Sequence, residues 1–255
     1  MRIAAGRGWK VAGGFTLIEL LVVMGIIGLL VALLMPAISQ AIVAVRIAAT
    51  QNIIQGLASG LEAYKADWRM YPPSDNTASH MGVVLADTSA KTPQYGYQCL
   101  ALYLLGKAGT GWGKPAANVS PTGGYATSTF GPYYEGETAS TASINDAFSP
   151  ACKIFYFRYE PTETNCYDVN DNPTDTANPP DSGFYNQDHL NRSVKRLDAL
   201  NRVRYVREDY VLISPGADRL YGYVNLNTTN NRMEAVTGTS PLPAGAYCDD
   251  ITNFK

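Results

Sequence analysis

The stretch from Phe15 to Met35 reads FTLIELLVVMGIIGLLVALLM, 21 residues in which Glu19 is the single charge. Wound as an α-helix at about 1.5 Å per residue it extends roughly 31 Å, the thickness of the hydrocarbon core of a bilayer. The 14 residues before it carry Arg2, Arg7 and Lys10 and no acid. Positive charge stays on the cytoplasmic side, so the sequence predicts a single crossing with Met1 inside and everything after Pro36 outside. A secretory signal peptide also begins basic and turns apolar, but its core is about 7 to 15 residues and a small-x-small cleavage site follows. Here the run is longer and passes through Met35-Pro36-Ala37 straight into a helical pattern.

That pattern is Ile38, Ile42, Val45, Ala49, Ile53, Leu57, Leu61, Tyr64 and Trp68, spaced three or four apart along one face. Ser39, Gln40, Arg46, Gln51, Gln55 and Lys65 form the opposite, polar face. Joined to the apolar run, this predicts one helix of about 54 residues, roughly 80 Å long. Pro36 removes a backbone donor and is expected to kink it, while Gly56 and Gly60 weaken it locally. Tyr71-Pro72-Pro73 ends it, because a residue before proline avoids the helical region.

The remainder is short of charge. Charged residues make up 16% of the chain, with 23 Gly, 15 Pro and 17 Tyr, which points to a loop-rich surface outside the cytoplasm. Leu100–Leu105 reads as a short helix or buried strand, the insertion 109–141 opens with the loop GTGWGKPAANVSPTGG, and the segment 165–188 reads as a long excursion rather than core. Lys153–Tyr159 (KIFYFRY), Tyr205–Ile213 (YVREDYVLI) and, more weakly, Leu220–Leu226 (LYGYVNL) read as strands of a small antiparallel meander laid on the helix. One long helix followed by strands is the α+β order. The expected organisation is a leader at 1–14, a transmembrane half-helix at 15–35, an amphipathic half-helix at 36–71 and an outer globular domain at 72–255.

Gly13-Gly14-Phe15-Thr16-Leu17-Ile18-Glu19-Leu20-Leu21-Val22-Val23 resembles the class III signal of type IV pilins and type II secretion pseudopilins. The resemblance implies cleavage by prepilin peptidase after Gly14, N-methylation of Phe15, and an assembly role for Glu19, which becomes the fifth residue of the mature chain. Pro36 falls where pilins often carry a helix-kinking proline. It also implies the pilin-like α+β fold, a long N-terminal helix packed on a small antiparallel sheet with long loops. The run from Glu62 through Tyr64 to Tyr71-Pro72 is similar to the helix end of the major pseudopilin, although the two long excursions depart from that shorter protein.

Glu19 carries a physical argument of its own. A carboxylate near the end of a membrane helix costs on the order of a few kcal/mol unless it is paired, and is by default a functional group. Cleavage after Gly14 creates an amine one helical turn away. That amine is a counter-charge within one chain or between neighbouring chains in a stack, where the pair would also set the register.

Ile213-Ser214-Pro215-Gly216-Ala217-Asp218 and the terminal Cys248-Asp249-Asp250-Ile251 look like the C-terminal loop of major pseudopilins, which folds around calcium. The resemblance implies Asp218 and Asp250 as ligands, with Asp249 in support. Calcium takes six to eight oxygens from carboxylates and turn carbonyls. The alternative is a turn residue with solvated terminal acids. Cys99, Cys152, Cys166 and Cys248 lie on the outer side of the membrane, where disulfides persist, and four cysteines allow three pairings. Cys152 with Cys166 would clip an excursion, and Cys99 with Cys248 would tie down the tail.

With two isolated histidines and no nucleophile signature, the chain reads as a non-enzyme. Loss of Arg2, Arg7 and Lys10 leaves 17 basic residues against 22 acidic ones. The basic run from Arg192 to Arg207 therefore reads as protein pairing, and no nucleic acid is expected as a partner. The expected function is that of a structural subunit of a type II secretion pseudopilus, held in the inner membrane with its C-terminal domain in the periplasm. Its expected partners are copies of itself, prepilin peptidase, an inner-membrane assembly platform and a cytoplasmic ATPase. The alternatives are a type IV pilin for adhesion or motility, and a monomeric anchored binding module.

Overall fold

The apolar run forms the helix that its composition dictates: in a computed structural model of the 255-residue chain, α1 spans Leu17–Trp68. The structure describes residues 16–74, 95–106, 112–115, 125–136, 143–161, 166–172, 187–197, 203–222, 224–227, 232–235 and 248–254. The chain divides into two compact units, Met1–Ala44 and Val45–Lys255.

In the first unit, α1 exposes every side chain from Leu17 to Ala44. None of its most apolar 18 residues is buried. A helix apolar all round with no core of its own is suited to lipid.

The second unit follows the last turns of α1 with α2 Gly96–Leu105, a ribbon of β1 Trp112–Pro115 and β2 Tyr125–Phe130, and β3 Phe155–Arg158. A 3-10 turn at Val169–Asp171 precedes α3 Gln187–Val194, β4 Lys195–Leu197, β5 Val203–Tyr205 and β6 Tyr210–Ser214. Then come β7 Val224–Asn227, β8 Arg232–Ala235 and β9 Ile251–Thr252.

The sheet that organises this unit is antiparallel, in the order β3-β6-β9. Tyr156 faces Leu212, and Ile213 faces Thr252 across the strands. Because strand side chains alternate, Ile154, Tyr156, Tyr210 and Leu212 pack with Ile54, Leu57, Leu61 and Tyr64 of α1 and with Leu100 and Leu104 of α2. Phe155, Phe157, Val211 and Ile213 pack on the other side with Tyr167, Leu190, Val194 and Tyr221. Burial on both faces explains why β6 reads as the continuous run YVLIS with no alternation of polar and apolar residues. Each such side chain contributes about 1.5–3 kcal/mol by leaving water.

Two glycines allow backbone to meet backbone around α1 and α2. A Cβ on Gly60 would stand 2.6 Å from the Tyr133 carbonyl oxygen, so the segment 131–136 crosses α1 there at backbone contact. Tyr133 is fixed by its N–H donating to Leu104 O and by its hydroxyl, which accepts from Trp68 Nε1 and donates to Asp67. A Cβ on Gly96 would overlap the Tyr156 carbonyl, which is how α2 starts directly against β3.

Several expectations are corrected. The buried face of α1 is Thr50, Ile54, Leu57, Gly60, Leu61 and Tyr64, whereas Ile38, Ile42 and Val45 are exposed. The helix ends at Trp68, before the prolines, with Arg69 in the left-handed region at φ +64 and its N–H on Lys65 O. The stretch 205–213 is not one strand: Tyr205 ends β5, Val206–Asp209 intervene, and β6 begins at Tyr210. Among the described residues β7 and β8 pair with each other and the chain then joins the sheet as β9, so the three-stranded sheet is not made of consecutive strands. Tyr167, inside the excursion 165–188, is fully buried and donates its hydroxyl to Arg207 O, so that part of the excursion is core. Its signal is a single aromatic among the polar residues 165–172, too little for a periodicity argument to register.

Candidate assembly and cation sites

At the head of α1, Thr16 and Glu19 are linked reciprocally. Glu19 Oε2 accepts from the Thr16 N–H at 2.8 Å and from its hydroxyl at 2.7 Å, and the Glu19 N–H donates back to Thr16 Oγ1 at 3.3 Å. This is a capping box, which the spacing Thr-x-x-Glu produces at a helix start. In lipid, where no water satisfies the first N–H groups of a helix, such internal partners matter more than in solution. Thr16 was not among the residues singled out from the sequence, although its spacing to Glu19 is legible there. Gly14 and Phe15 lie outside the described residues. Pro36 sits inside α1, and Ser39 donates its hydroxyl to the Pro36 carbonyl at 2.9 Å.

The second site is where the chain leaves β6. Gly216, at φ +71, allows a tight turn against Asp249, for a Cβ there would meet the Asp249 backbone oxygen at 2.5 Å. Asp249 Oδ2 accepts from the Ala217 and Asp218 N–H groups at 2.9 and 3.2 Å. Asp218 Oδ1 accepts from the Leu220 N–H at 2.8 Å. Asp218 Oδ2 and Asp249 Oδ1 are buried without a hydrogen-bond partner. Burial pushes the Asp218 carboxyl up to about 7, and the neighbouring Asp249 adds to the rise.

Asp250 plays a different part. It is 2% exposed, and its Oδ2 accepts from the Gly222 N–H at 2.8 Å. Asp249, and not Asp250, is therefore the acid that meets Asp218. Successive residues of an extended tail point apart, and the pairing of Ile251 with Ser214 fixes which way each one faces. Among the described residues no three His, Cys, Asp or Glu side chains come together as a metal-holding group. Two carboxylates with orphaned buried oxygens nonetheless fit a hard cation that draws its further ligands from turn carbonyls.

Beside this turn lies a buried acid that the sequence reading missed. Asp146 accepts from the Phe148 and Cys152 N–H groups and from the Ser214 hydroxyl, and burial raises its carboxyl above the usual range. No disulfide joins the four cysteines in this structure. Cys99 and Cys152 are buried, and Cys99 packs in the core on the α1 side of the sheet. Cys166 and Cys248 are half-buried.

Residues 9–35 match the family described as the prokaryotic N-terminal methylation motif. The matched stretch takes in Gly14, Phe15, Thr16 and Glu19, and it supports a type IV pilin-like precursor of the prepilin class, processed by prepilin peptidase. Together with the apolar first half of α1 it supports a single-pass, membrane-anchored protein. The α+β architecture, a long N-terminal helix with a small antiparallel sheet, fits the pilin-like fold. No curated protein and no solved structure matches the chain significantly.

Proposed function

We infer that this chain is a non-enzymatic structural subunit of a type II secretion pseudopilus, polymerised through α1 after processing at Gly14–Phe15. The observation that carries the reading is Glu19, the only charge in the span, held at the head of a helix that begins two residues beyond the cleavage junction. Cleavage after Gly14 would free an amine four residues before Glu19, a counter-charge for the Glu19 carboxylate of the same chain or of a neighbour. Removing both charges from lipid by pairing favours the stack over isolated subunits.

The tail supports a secretion subunit over a surface pilin. Gly216-Ala217-Asp218 and Asp249 form a carboxylate-lined turn that suits a calcium ion, with Asp218 and Asp249 holding it and Asp250 bracing the loop through Gly222. Bound calcium would supply positive charge between two carboxylates that otherwise repel each other.

Intact mass and N-terminal sequencing of membrane-extracted protein test the processing, with a start at N-methylated Phe15 expected. Deletion in the host tests the role: proteins normally exported should accumulate in the periplasm while motility and adhesion stay intact. The reverse pattern assigns the chain to a surface pilus.

A further inference from the structure

The turn that brings Asp218 to Asp249 is tied at both ends to one neighbouring segment, 144–154. At its start, the fully buried Ser214 donates its hydroxyl to Asp146 Oδ2 at 2.9 Å, and the same hydroxyl oxygen lies 3.5 Å from the Gly216 nitrogen, whose N–H points to it. At its end, the Tyr221 hydroxyl donates to the Lys153 carbonyl. Between the two, the charge of Arg219 works to lower the Asp146 carboxyl against the burial that raises it.

The segment is itself firmly set. Asp146 Oδ1 accepts from the Phe148 and Cys152 N–H groups at 3.2 and 2.9 Å, and the Asp146 N–H donates to Cys152 O at 2.8 Å, which closes the loop 146–152 on itself. The Ile154 N–H on Ile144 O carries that closure toward β3. The Ala147 N–H donates to the hydroxyl of the buried Thr50 at 3.1 Å, which ties the loop to α1. Both oxygens of Asp146 thus have donors, whereas Asp218 Oδ2 and Asp249 Oδ1 have none. The division of labour follows: Asp218 and Asp249 are free to hold a cation, and Asp146 is not.

We propose that Asp146 is a positioning residue for the cation turn, fixing its start through Ser214 so that Asp218 and Asp249 stand together before a cation arrives. This rests on the cation reading above. Two carboxylates side by side repel, and without a cation the turn would open unless its path were fixed from outside. A buried acid that anchors the turn to α1 and β3 does that, and spares the cation the cost of assembling its own ligands. Partners standing behind metal ligands typically account for 10–100-fold in affinity.

Calorimetric titration of the full chain in detergent with calcium chloride, beside melts of the same samples in chelator, tests the assignment. Ser214→Ala removes the donor that joins Asp146 to the turn and leaves the loop 146–152 closed. Asp146→Asn sets an NH2 group where the Ser214 hydroxyl needs an acceptor. Each should weaken calcium binding about 10–100-fold. Val194→Ala, which thins the core on the face of the sheet away from α1, should lower the melting temperature in chelator and keep the parent Kd. A parent-like Kd in Ser214→Ala, or an equal loss in Val194→Ala, would reduce Asp146 to general support of the fold and overturn the proposal while the cation reading stands. Should Asp146→Asn fail to fold, Ser214→Ala alone decides. A parent chain that takes up no calcium overturns both.

Discussion

Thr16 and Glu19 hold each other across the first turn of α1, the carboxylate taking the threonine N–H and hydroxyl while the threonine oxygen takes the glutamate N–H. Glu19 therefore has a local duty in addition to any contact with a neighbour, and its substitutions separate the two. Glutamine can still accept in a capping box but carries no charge. Glu19→Gln should keep the helix start and lose filament as completely as Glu19→Ala, while Thr16→Ala should cost about 1 kcal/mol of helix-end stability and only part of the filament. Shearing and electron microscopy read the filament, and hydrogen exchange in detergent reads the helix start. Full assembly by Glu19→Gln would make capping, and not charge, the role of this residue.

Gly60 and Gly56 answer differently to the same change. Alanine gains about 1 kcal/mol of helix propensity over glycine. At Gly60 the new methyl meets a backbone oxygen at 2.6 Å, and overpacking of that kind costs about 1–3 kcal/mol. At Gly56 it meets the Tyr134 ring at 3.1 Å, a side chain that can turn aside. Urea melts of the Val45–Lys255 unit should show Gly60→Ala destabilised and Gly56→Ala within about 0.5 kcal/mol of the parent.

Calcium should raise the melting temperature of that unit. Binding to the folded state alone contributes RT ln(1 + [L]/Kd), about 2.7 kcal/mol at one hundred times Kd. Asp218→Ala and Asp249→Ala should each remove the gain, whereas magnesium should give little of it, since it needs shorter, near-octahedral contacts. Identical melts of the parent in chelator and in millimolar calcium would leave the turn without a cation.

Arg207 grips Asp209 with both Nε and a terminal nitrogen, and lies 5.0 Å over the Tyr210 ring. Partial burial works to raise the Asp209 carboxyl, but the guanidinium and the Tyr210 N–H outweigh it and hold it below the usual range. A carboxyl whose folded pKa is depressed contributes stability that is present above its unfolded value, about 3.9, and is lost as the pH falls through the folded value. Asp209→Asn should cost about 1 kcal/mol at pH 7, and the two proteins should converge in acid below pH 4. A constant difference across that range, in denaturant melts at stepped pH, would show that the charge is not what matters.

The apolar helix, the methylation motif around Glu19 and the α+β order were legible in the sequence, because each depends on residues close together in the chain. A 21-residue apolar run needs no partner to be a helix in lipid, and Thr-x-x-Glu closes within one turn. The tertiary structure alone decided matters that join distant segments. It chose the buried face of α1 through the sheet and α2, drew Tyr167 into the core, and returned the tail as β9 beside β6. It also chose Asp249 over Asp250 to meet Asp218, since strand pairing sets which way adjacent side chains point, and that pairing spans 37 residues from Ser214 to Ile251.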